Sequence, residues 1–479
     1  MVSSRLTNFI FGFFPISFIL GNPTTNLNLA LFCILGIFQL KSEILKIKFD
    51  FALKVIFLFF LVVFLSTSLS FIKSLYFDEY EYGNLVRLTK SIIFFRFFLM
   101  LLIIHLLCKF DLLNFKYFFT SAAFVSIFVS LDIIFQYYFG FNVIGLKPAT
   151  IYYYTGFFGD EQIAGGFIQN FSFFGLLFTA FLFKNKKYAK YITIIIVINI
   201  LGIGILLSGN RMPALLFLFG MVVLFLLSND LKKIISIALV ILFIVAGLIS
   251  SSDKIIKNRY ESLYHHTIGQ VILLIKNFKQ NEKTGEKSAE TEIAKKELKS
   301  GYIPTLRAES SNIFGESHRA RLIITALDIW SRNKILGNGI KSFRMDCQKL
   351  FYKNPEYNIT AFIEKDKKNR LCSNHPHNYY VEVLTETGIV GFSLMLIIAF
   401  LFCIFIFKNL TIFKDDKIGN FLILSATISL VLEMFPIKST GSVFTTNDTT
   451  YIILISSFIL SYKSILKSRN FGQNSNIFL

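Results

Sequence analysis

The sequence lacks the motifs of several large enzyme classes. It contains no GxxxxGK[ST] phosphate loop, no GxSxG nucleophile turn and no cluster of histidines and cysteines spaced for a metal. Charged residues make up only 16% of the chain, which argues against a soluble domain. The first apolar segment lacks a small-residue cleavage site, so no cleavable signal peptide is expected.

Apolar residues are abundant instead, and they come in blocks. They make up 54% of the chain, and a run of about 20 such residues spans the hydrocarbon core of a bilayer. The pattern predicts an all-α polytopic membrane protein with about 12 transmembrane helices. The apolar segments are roughly 7–21, 25–40, 53–72, 90–108, 117–138, 163–183, 189–207, 212–228, 233–250, 387–407, 418–436 and 449–462.

The formal net charge of +19 is best explained by membrane topology. Lysines concentrate in alternate short loops, which is typical of cytoplasmic loops. The lysine-rich loops are 41–48, 109–116, 184–190, 232–233 and 408–417, together with the tail after 462. We therefore predict a bacterial inner-membrane protein with both termini in the cytoplasm, and no nucleic-acid partner.

One long polar stretch divides the chain. We predict transmembrane helices 1–9 in residues 1–250, a mainly helical periplasmic loop in 251–386, and helices 10–12 with a cytoplasmic tail in 387–479. Residues 276–300 are charged and nearly free of apolar side chains. They indicate either an exposed helix or a disordered insertion.

The cysteines fall into two environments. Cys347 and Cys372 lie in the predicted periplasmic loop, where an oxidising compartment favours a disulfide; two free thiols are the alternative. Cys33, Cys108 and Cys403 lie in apolar segments and are predicted to be buried thiols.

Two motifs place arginines at the predicted periplasmic face. In SGNRMP, Arg211 opens a helix whose first turn contains Pro213, and a helix N-terminus favours anions; a snorkelling arginine is the alternative. In residues 317–343, Arg319 and Arg321 occupy the first turns of an amphipathic helix, and Gly337 and Gly339 form a turn after it. The apolar face of that helix is predicted from Ile323, Ala326, Leu327 and Trp330, and arginines that merely face solvent are the alternative.

A third motif holds His375, His377 and Asn378 just before the tenth apolar segment. A metal pair is one interpretation, but no spacing selects a third ligand. A histidine that activates or orients an acceptor hydroxyl is favoured, and a structural histidine that caps the helix beginning near Tyr379 is the alternative. Asn378 is itself a good N-cap for that helix.

Acidic residues also lie near the membrane. Asp160 and Glu161 open the sixth apolar segment, where they could orient an acceptor, pair with an arginine or simply favour a helix N-terminus. Arg96 and Asp132 are both deep in apolar segments, and we predict that they pair.

Arginines beside lipid suit a lipid-linked pyrophosphate, and a nearby histidine suits activation of an attacking hydroxyl. At this point the chain also resembles the O-antigen ligase and polymerase superfamily of membrane glycosyltransferases. Three motifs carry the resemblance: SGNRMPALL (208–216), RARLIITALDIWSRNKILGNGIKSF (319–343) and HPHNYYVEVLTETGIVGF (375–392).

The resemblance implies roles for individual residues. Arg211 and Arg319 would hold the carrier pyrophosphate, and His377 would activate or orient the acceptor, without a metal or other cofactor and with inversion at the anomeric centre. Beyond the resemblance, we predict that Arg321, His375, Asn378, Asp160 and Glu161 assist substrate binding. The structural residues of the motifs would be Glu386, Gly388, Gly391, Gly337 and Gly339. The chain departs from the family pattern at GFFGDEQIAGG, which leaves the acceptor open.

These observations predict a ligase that transfers a glycan from undecaprenyl pyrophosphate to lipid A–core at the periplasmic face. A repeat-unit polymerase of the same superfamily is the alternative, and a protein O-oligosaccharyltransferase is a third. A polysaccharide transporter is disfavoured, because transporters usually place polar sites near the membrane midplane and show internal repeats.

Overall fold

The computed structural model describes residues 2–76, 82–183, 185–261, 318–351, 370–409, 418–439 and 441–467. Within these ranges the chain is helical, and an isolated bridge between Thr150 and Tyr153 is the only β-type pairing described. The helices are α1 (Val2–Gly12), α2 (Phe14–Ile19), α3 (Asn22–Leu40), α4 (Phe51–Tyr76), α5 (Tyr82–Lys109), α6 (Phe115–Phe139), α7 (Ala164–Leu182), α8 (Lys187–Leu207), α9 (Arg211–Leu227), α10 (Lys232–Ser252), α11 (His318–Trp330), α12 (Ser342–Phe351), α13 (Tyr379–Lys408), α14 (Ile418–Glu433), α15 (Thr446–Leu460) and α16 (Tyr462–Lys467).

Eight helices of the described part are long and apolar enough to cross a membrane, and they are α3 to α8, α10 and α13. The chain is therefore a multi-pass membrane protein. The predicted number of about twelve is met only in part. The first apolar segment is divided, because α1 ends at Gly12 and the six-residue α2 carries Pro15 in its first turn. Helices α9, α14 and α15 are shorter, at 17, 16 and 15 residues.

The connecting segments lie on two opposite faces of the bundle. We call one the site face; it comprises residues 142–163, 208–210, 253–261, 334–341, 434–439 and 441–445. Its segments are joined to each other or to helix ends by the hydrogen bonds Arg259 to Gly209, Arg87 to Ile340 and Asn378 to Pro436. The other we call the lysine face; it comprises residues 41–50, 109–114, 185–187, 228–232 and 461–467. The charged segment 276–300 lies outside the described residues.

Helix α13 is interrupted at Gly388, whose φ of 65° and ψ of −168° are not helical. The freed amides of Ile389 and Val390 donate instead to the carbonyls of Lys334 (2.9 Å) and Ile335 (3.2 Å). A Cβ on Gly388 would lie 2.5 Å from the Gly337 nitrogen and would overlap the Ile335 carbonyl. Only glycine allows this approach, because the contacting atoms belong to backbone that cannot rotate away.

The same turn is fixed to α4 and α5. The Ile340 amide donates to Thr67 Oγ1 (3.0 Å) and its carbonyl accepts from Arg87 Nε (3.0 Å). Ser66 Oγ donates to the Glu386 carbonyl at 2.8 Å, and the Glu386 carboxylate accepts from the Lys341 amide. Glu386 is buried and acts here as an anchor for backbone groups.

The predicted ion pair between Arg96 and Asp132 is wrong. Arg96 donates to Thr446 Oγ1 at 3.2 Å, on the neighbouring helix α15. Asp132 lies within two turns of the end of α6, so its carboxylate reaches the following loop and accepts from the Val143 amide at 3.0 Å. The prediction for Cys403 is also wrong, because its side chain is exposed.

Candidate functional site

The turn between α8 and α9 is held by backbone contacts to the segment before α7. Asn210 Oδ1 accepts from the Gly165 amide at 3.0 Å, and Asn210 Nδ2 donates to the Gln162 carbonyl at 2.9 Å. Gly209 has a φ of 72°, and a Cβ there would overlap the Tyr152 carbonyl. Because the Asn210 side chain is used in this way, it does not cap α9. The first amides of α9, next to Arg211, therefore have no side-chain cap.

Arg211 is the first residue of α9, and its Nε is a buried atom without a hydrogen-bond partner. Its electrostatic neighbours are Arg259, Arg319, Tyr153 and Tyr260, with no carboxylate among them. An arginine at a helix N-terminus, beside two further arginines, creates a strongly positive site that only an anion would relieve.

Arg259 was not singled out from the sequence, although the structure places it in the same site. Its Nε donates to the Gly209 carbonyl at 3.0 Å, and its guanidinium lies 4.1 Å from the centre of the Tyr153 ring. Arg319 is exposed and also acts on Tyr153. Tyr153 is therefore a neighbour of all three arginines, and we call Arg211, Arg259, Arg319 and Tyr153 the arginine cluster.

Tyr260 joins the segment that carries Arg259 to the end of α8. Its hydroxyl donates to the Leu206 carbonyl at 2.9 Å, at the end of α8. Burial raises the pKa of Tyr260, while the nearby Arg259 and Arg211 act in the opposite direction. The phenol stays protonated and keeps residues 254–261 attached to the turn at Gly209.

Helix α11 runs alongside the first half of α13 in the same direction. Leu322, Ala326 and Ile329 form its buried face, against Val381 of α13 and Cys347 of α12. This face is rotated from the predicted one. Thr385 Oγ1 donates to the Ala326 carbonyl at 3.3 Å, an offset of 59 residues. The same offset aligns Arg319, at the start of α11, with Asn378, at the start of α13.

His377 lies at this start and has a left-handed backbone, with a φ of 57°. Its ring centre is 4.2 Å from that of His375. Asn378 Oδ1 accepts from the Tyr380 and Val381 amides, which confirms the predicted helix cap. Both histidines are half-buried, so their rings remain reachable from the site face.

The segment that leads to the histidines is pinned to α11. Arg321 donates to the Arg370 carbonyl at 2.9 Å, and Arg370 forms an ion pair with Asp328 at 2.7 Å. Cys347 and Cys372 are joined in a disulfide, with Cα atoms 5.7 Å apart. These contacts give Arg321 a structural part in holding the histidine segment.

Asp160 and Glu161 are not brought into the cluster. Both side chains are exposed in the turn before α7, and neither makes an ion pair or side-chain hydrogen bond with any part of the chain that the structure describes. Gly391 lies in the buried part of α13 against Thr387, one turn earlier.

An apolar cavity of about 340 Å³ lies in the membrane part of the bundle beneath these residues. Its wall includes Tyr380 in the first turn of α13, Pro436, and Phe219, which is eight residues below Arg211 on α9. Eight residues of helix correspond to about 12 Å. At its far end the wall includes Cys403, whose exposed thiol therefore faces the cavity.

Comparison with protein families identifies the region that carries these residues. Residues 195–396 match the family described as O-antigen ligase. The matched range begins within α8 and ends within α13, so it contains Arg211, Arg319 and His377. The search of curated proteins gives no match.

Proposed function

We propose, from the premise that residues 195–396 form an O-antigen ligase family domain, that this chain is a ligase that transfers a glycan from undecaprenyl pyrophosphate to lipid A–core. Proteins of this family are membrane glycosyltransferases, ligases or polymerases, that use lipid-linked glycans. The observation that carries the proposal is the arginine cluster, which gathers three guanidinium groups around Tyr153 at a helix N-terminus.

In this proposal the arginine cluster binds the pyrophosphate of the donor. Guanidinium groups present paired N–H donors that match phosphate oxygens, and they stabilise the charge that develops as the leaving group departs. The acceptor hydroxyl attacks the anomeric carbon, the bond from that carbon to the phosphate oxygen breaks, and undecaprenyl pyrophosphate leaves. Neutral His377 accepts the hydroxyl proton. Attack opposite the leaving group inverts the anomeric centre.

The apolar cavity supports a lipid-linked donor and is proposed to hold part of its polyprenyl chain. In such a donor the chain is bonded directly to the pyrophosphate, so it must begin immediately below the arginines. The cavity wall includes Phe219, on the same helix as Arg211, and its volume of about 340 Å³ lies within the range of ligand sites. Each CH₂ group buried there would contribute about 0.8 kcal/mol.

The proposed topology has all twelve apolar segments entering the membrane and the site face in the periplasm. The segregation of the lysine-rich segments onto the opposite face of the bundle supports this orientation. In that compartment no nucleotide donor is at hand, which is consistent with a lipid-linked one.

The site assignment is tested in a null strain complemented with Arg211→Ala, Arg319→Ala or His377→Ala. We expect each variant to reach the membrane at normal levels but to lose polymer attachment to lipopolysaccharide, seen on a gel. Lys254→Ala is the matched control, because Lys254 is an exposed cation of the same face outside the arginine cluster. Normal polymer in all three site variants would refute the assignment.

The null strain itself separates a ligase from a polymerase. Loss of a ligase leaves long polymer on the carrier and bare lipid A–core, because chain growth continues without transfer. Loss of a polymerase leaves single repeats. Single repeats on the carrier would therefore favour the polymerase alternative over the ligase proposed here.

A further inference from the structure

Three consecutive residues after His377 are bonded to one segment on the neighbouring hairpin. Asn378 Nδ2 donates to the Pro436 carbonyl at 2.7 Å. The Tyr379 hydroxyl donates to Glu433 Oε1 at 2.7 Å, and the Tyr380 hydroxyl donates to the Met434 carbonyl at 2.6 Å. All three acceptors lie within residues 433–438, which we call the brace.

Glu433 is the centre of the brace. One carboxylate oxygen accepts from Tyr379, and the other forms an ion pair with Lys438 at 2.6 Å. All three side chains are buried, with Tyr379 only 2% exposed and Glu433 only 3%. A buried ion pair contributes little net stability, since desolvation offsets the attraction, so its presence calls for another explanation. Fixing a geometry is the best-supported use of such a pair.

The backbone of His377, next to the brace, has a conformation that must be held by neighbouring contacts. His377 has a φ of 57°, which a residue with a Cβ adopts only with steric strain. Such a conformation persists only where neighbouring contacts impose it. The contacts of Asn378 and Tyr379 with the brace begin at the residue immediately after His377, so they anchor the backbone from which its side chain extends.

We propose that Glu433 is a positioning residue that acts through Tyr379 to hold His377 in its reactive orientation. The inference rests on the proposed function, which assigns the acceptor proton to His377. Glu433 is assigned no contact with either substrate; its Oε1 joins the first turn of α13 to the end of α14 through Tyr379, and its Oε2 pairs with Lys438. A further anchor lies in the same turn of α13, where Glu382 accepts from the Val443 amide at 2.8 Å.

The test is the steady-state kinetics of the purified full-length protein with a lipid-linked donor and an acceptor glycolipid. Rates are expressed per donor-binding site, so that unfolded protein does not count. We expect Tyr379→Phe and Glu433→Leu to lower kcat about tenfold or more while KM for the donor stays near the wild-type value, because misplacement of a catalytic group costs rate rather than donor binding. Glu433→Gln, whose amide oxygen still accepts from Tyr379, should recover most of that loss.

Tyr451→Phe is the matched control. Tyr451 is also buried and lies near Glu433, but its hydroxyl donates at 2.7 Å to the Asn170 carbonyl of α7 and not to α13. If His377→Ala is inactive, two results would overturn the positioning role of Glu433. One is a wild-type kcat per site in Tyr379→Phe and Glu433→Leu, and the other is an equal loss of kcat in Tyr451→Phe. Activity retained by His377→Ala would instead overturn the proposed function and the brace with it.

Discussion

Replacement of Gly388 by alanine should detach the turn at residues 334–339 from α13. Gly388 combines a left-handed φ of 65° with backbone atoms pressed against the position of a Cβ. Gly247 is the matched control, because it lies in α10 with open space around its Cβ position. The same chemical change is thus made once at a close backbone contact and once on an open helix face.

The magnitude follows from three contributions. Alanine at this φ costs about 1–2 kcal/mol. The added Cβ would overlap the Ile335 carbonyl, so the turn must move and the hydrogen bonds from Ile389 and Val390 are lost at about 1 kcal/mol each. Together these cost about 3–4 kcal/mol, a more than hundredfold change in the folded-to-unfolded ratio. Gly247→Ala should be neutral or stabilise α10 by up to about 1 kcal/mol.

The assay is thermal unfolding of both variants in the same detergent, followed by size-exclusion chromatography of the protein that stays folded. Gly388→Ala should unfold well below the wild-type temperature, and Gly247→Ala at or above it. A Gly388→Ala protein as stable as Gly247→Ala would refute the argument that the break in α13 depends on a glycine-only contact between two backbones.

Three further predictions concern the site and its support. Arg259→Ala should reduce glycan transfer at least tenfold and weaken donor binding, whereas Lys254→Ala should do neither. If the two variants showed the same donor binding and the same polymer on a gel, Arg259 would not belong to the site. Replacing Cys347 and Cys372 with serine should lower the unfolding free energy by about 3 kcal/mol, because the disulfide closes a loop with a sequence separation of 25. A thermal melt without reductant that matches the wild type would contradict this. Maleimide labelling of Cys403 in membranes should slow several-fold when donor is added, and an unchanged rate would argue against a chain in the cavity.

The sequence predicted the helices well because each apolar segment is a strong, local signal. It did not predict which segments are long enough to span a bilayer alone. Pro15 lies where the first segment divides, and α9 ends at Leu227 after 17 residues. The partners of Arg96 and Asp132 could not be predicted either, because they depend on which helix or loop packs beside each residue in the folded protein.

The site was predictable only where motifs marked it. Motif patterns singled out Arg211, Arg319 and His377, which stay predictions, and the cap at Asn378 followed from local chemistry. Arg259 was missed because it follows α10 in a segment without a motif; the tyrosines at 152–154, on which it stacks, were the available signal. The brace at Glu433 was missed because its contact with Tyr379 joins residues 54 apart in sequence.

The close contact between Gly209 and Tyr152 has a consequence for the exchange of parts between related proteins. The backbones of the two segments touch without intervening side chains, so a shift of residues 150–163 must also shift residues 208–211. The departure from the family pattern at residues 156–166 therefore adjoins the turn that presents Arg211. A chimera that replaces the loop before α7 must also keep a glycine at position 209 and an asparagine at 210, or Arg211 will move with that loop.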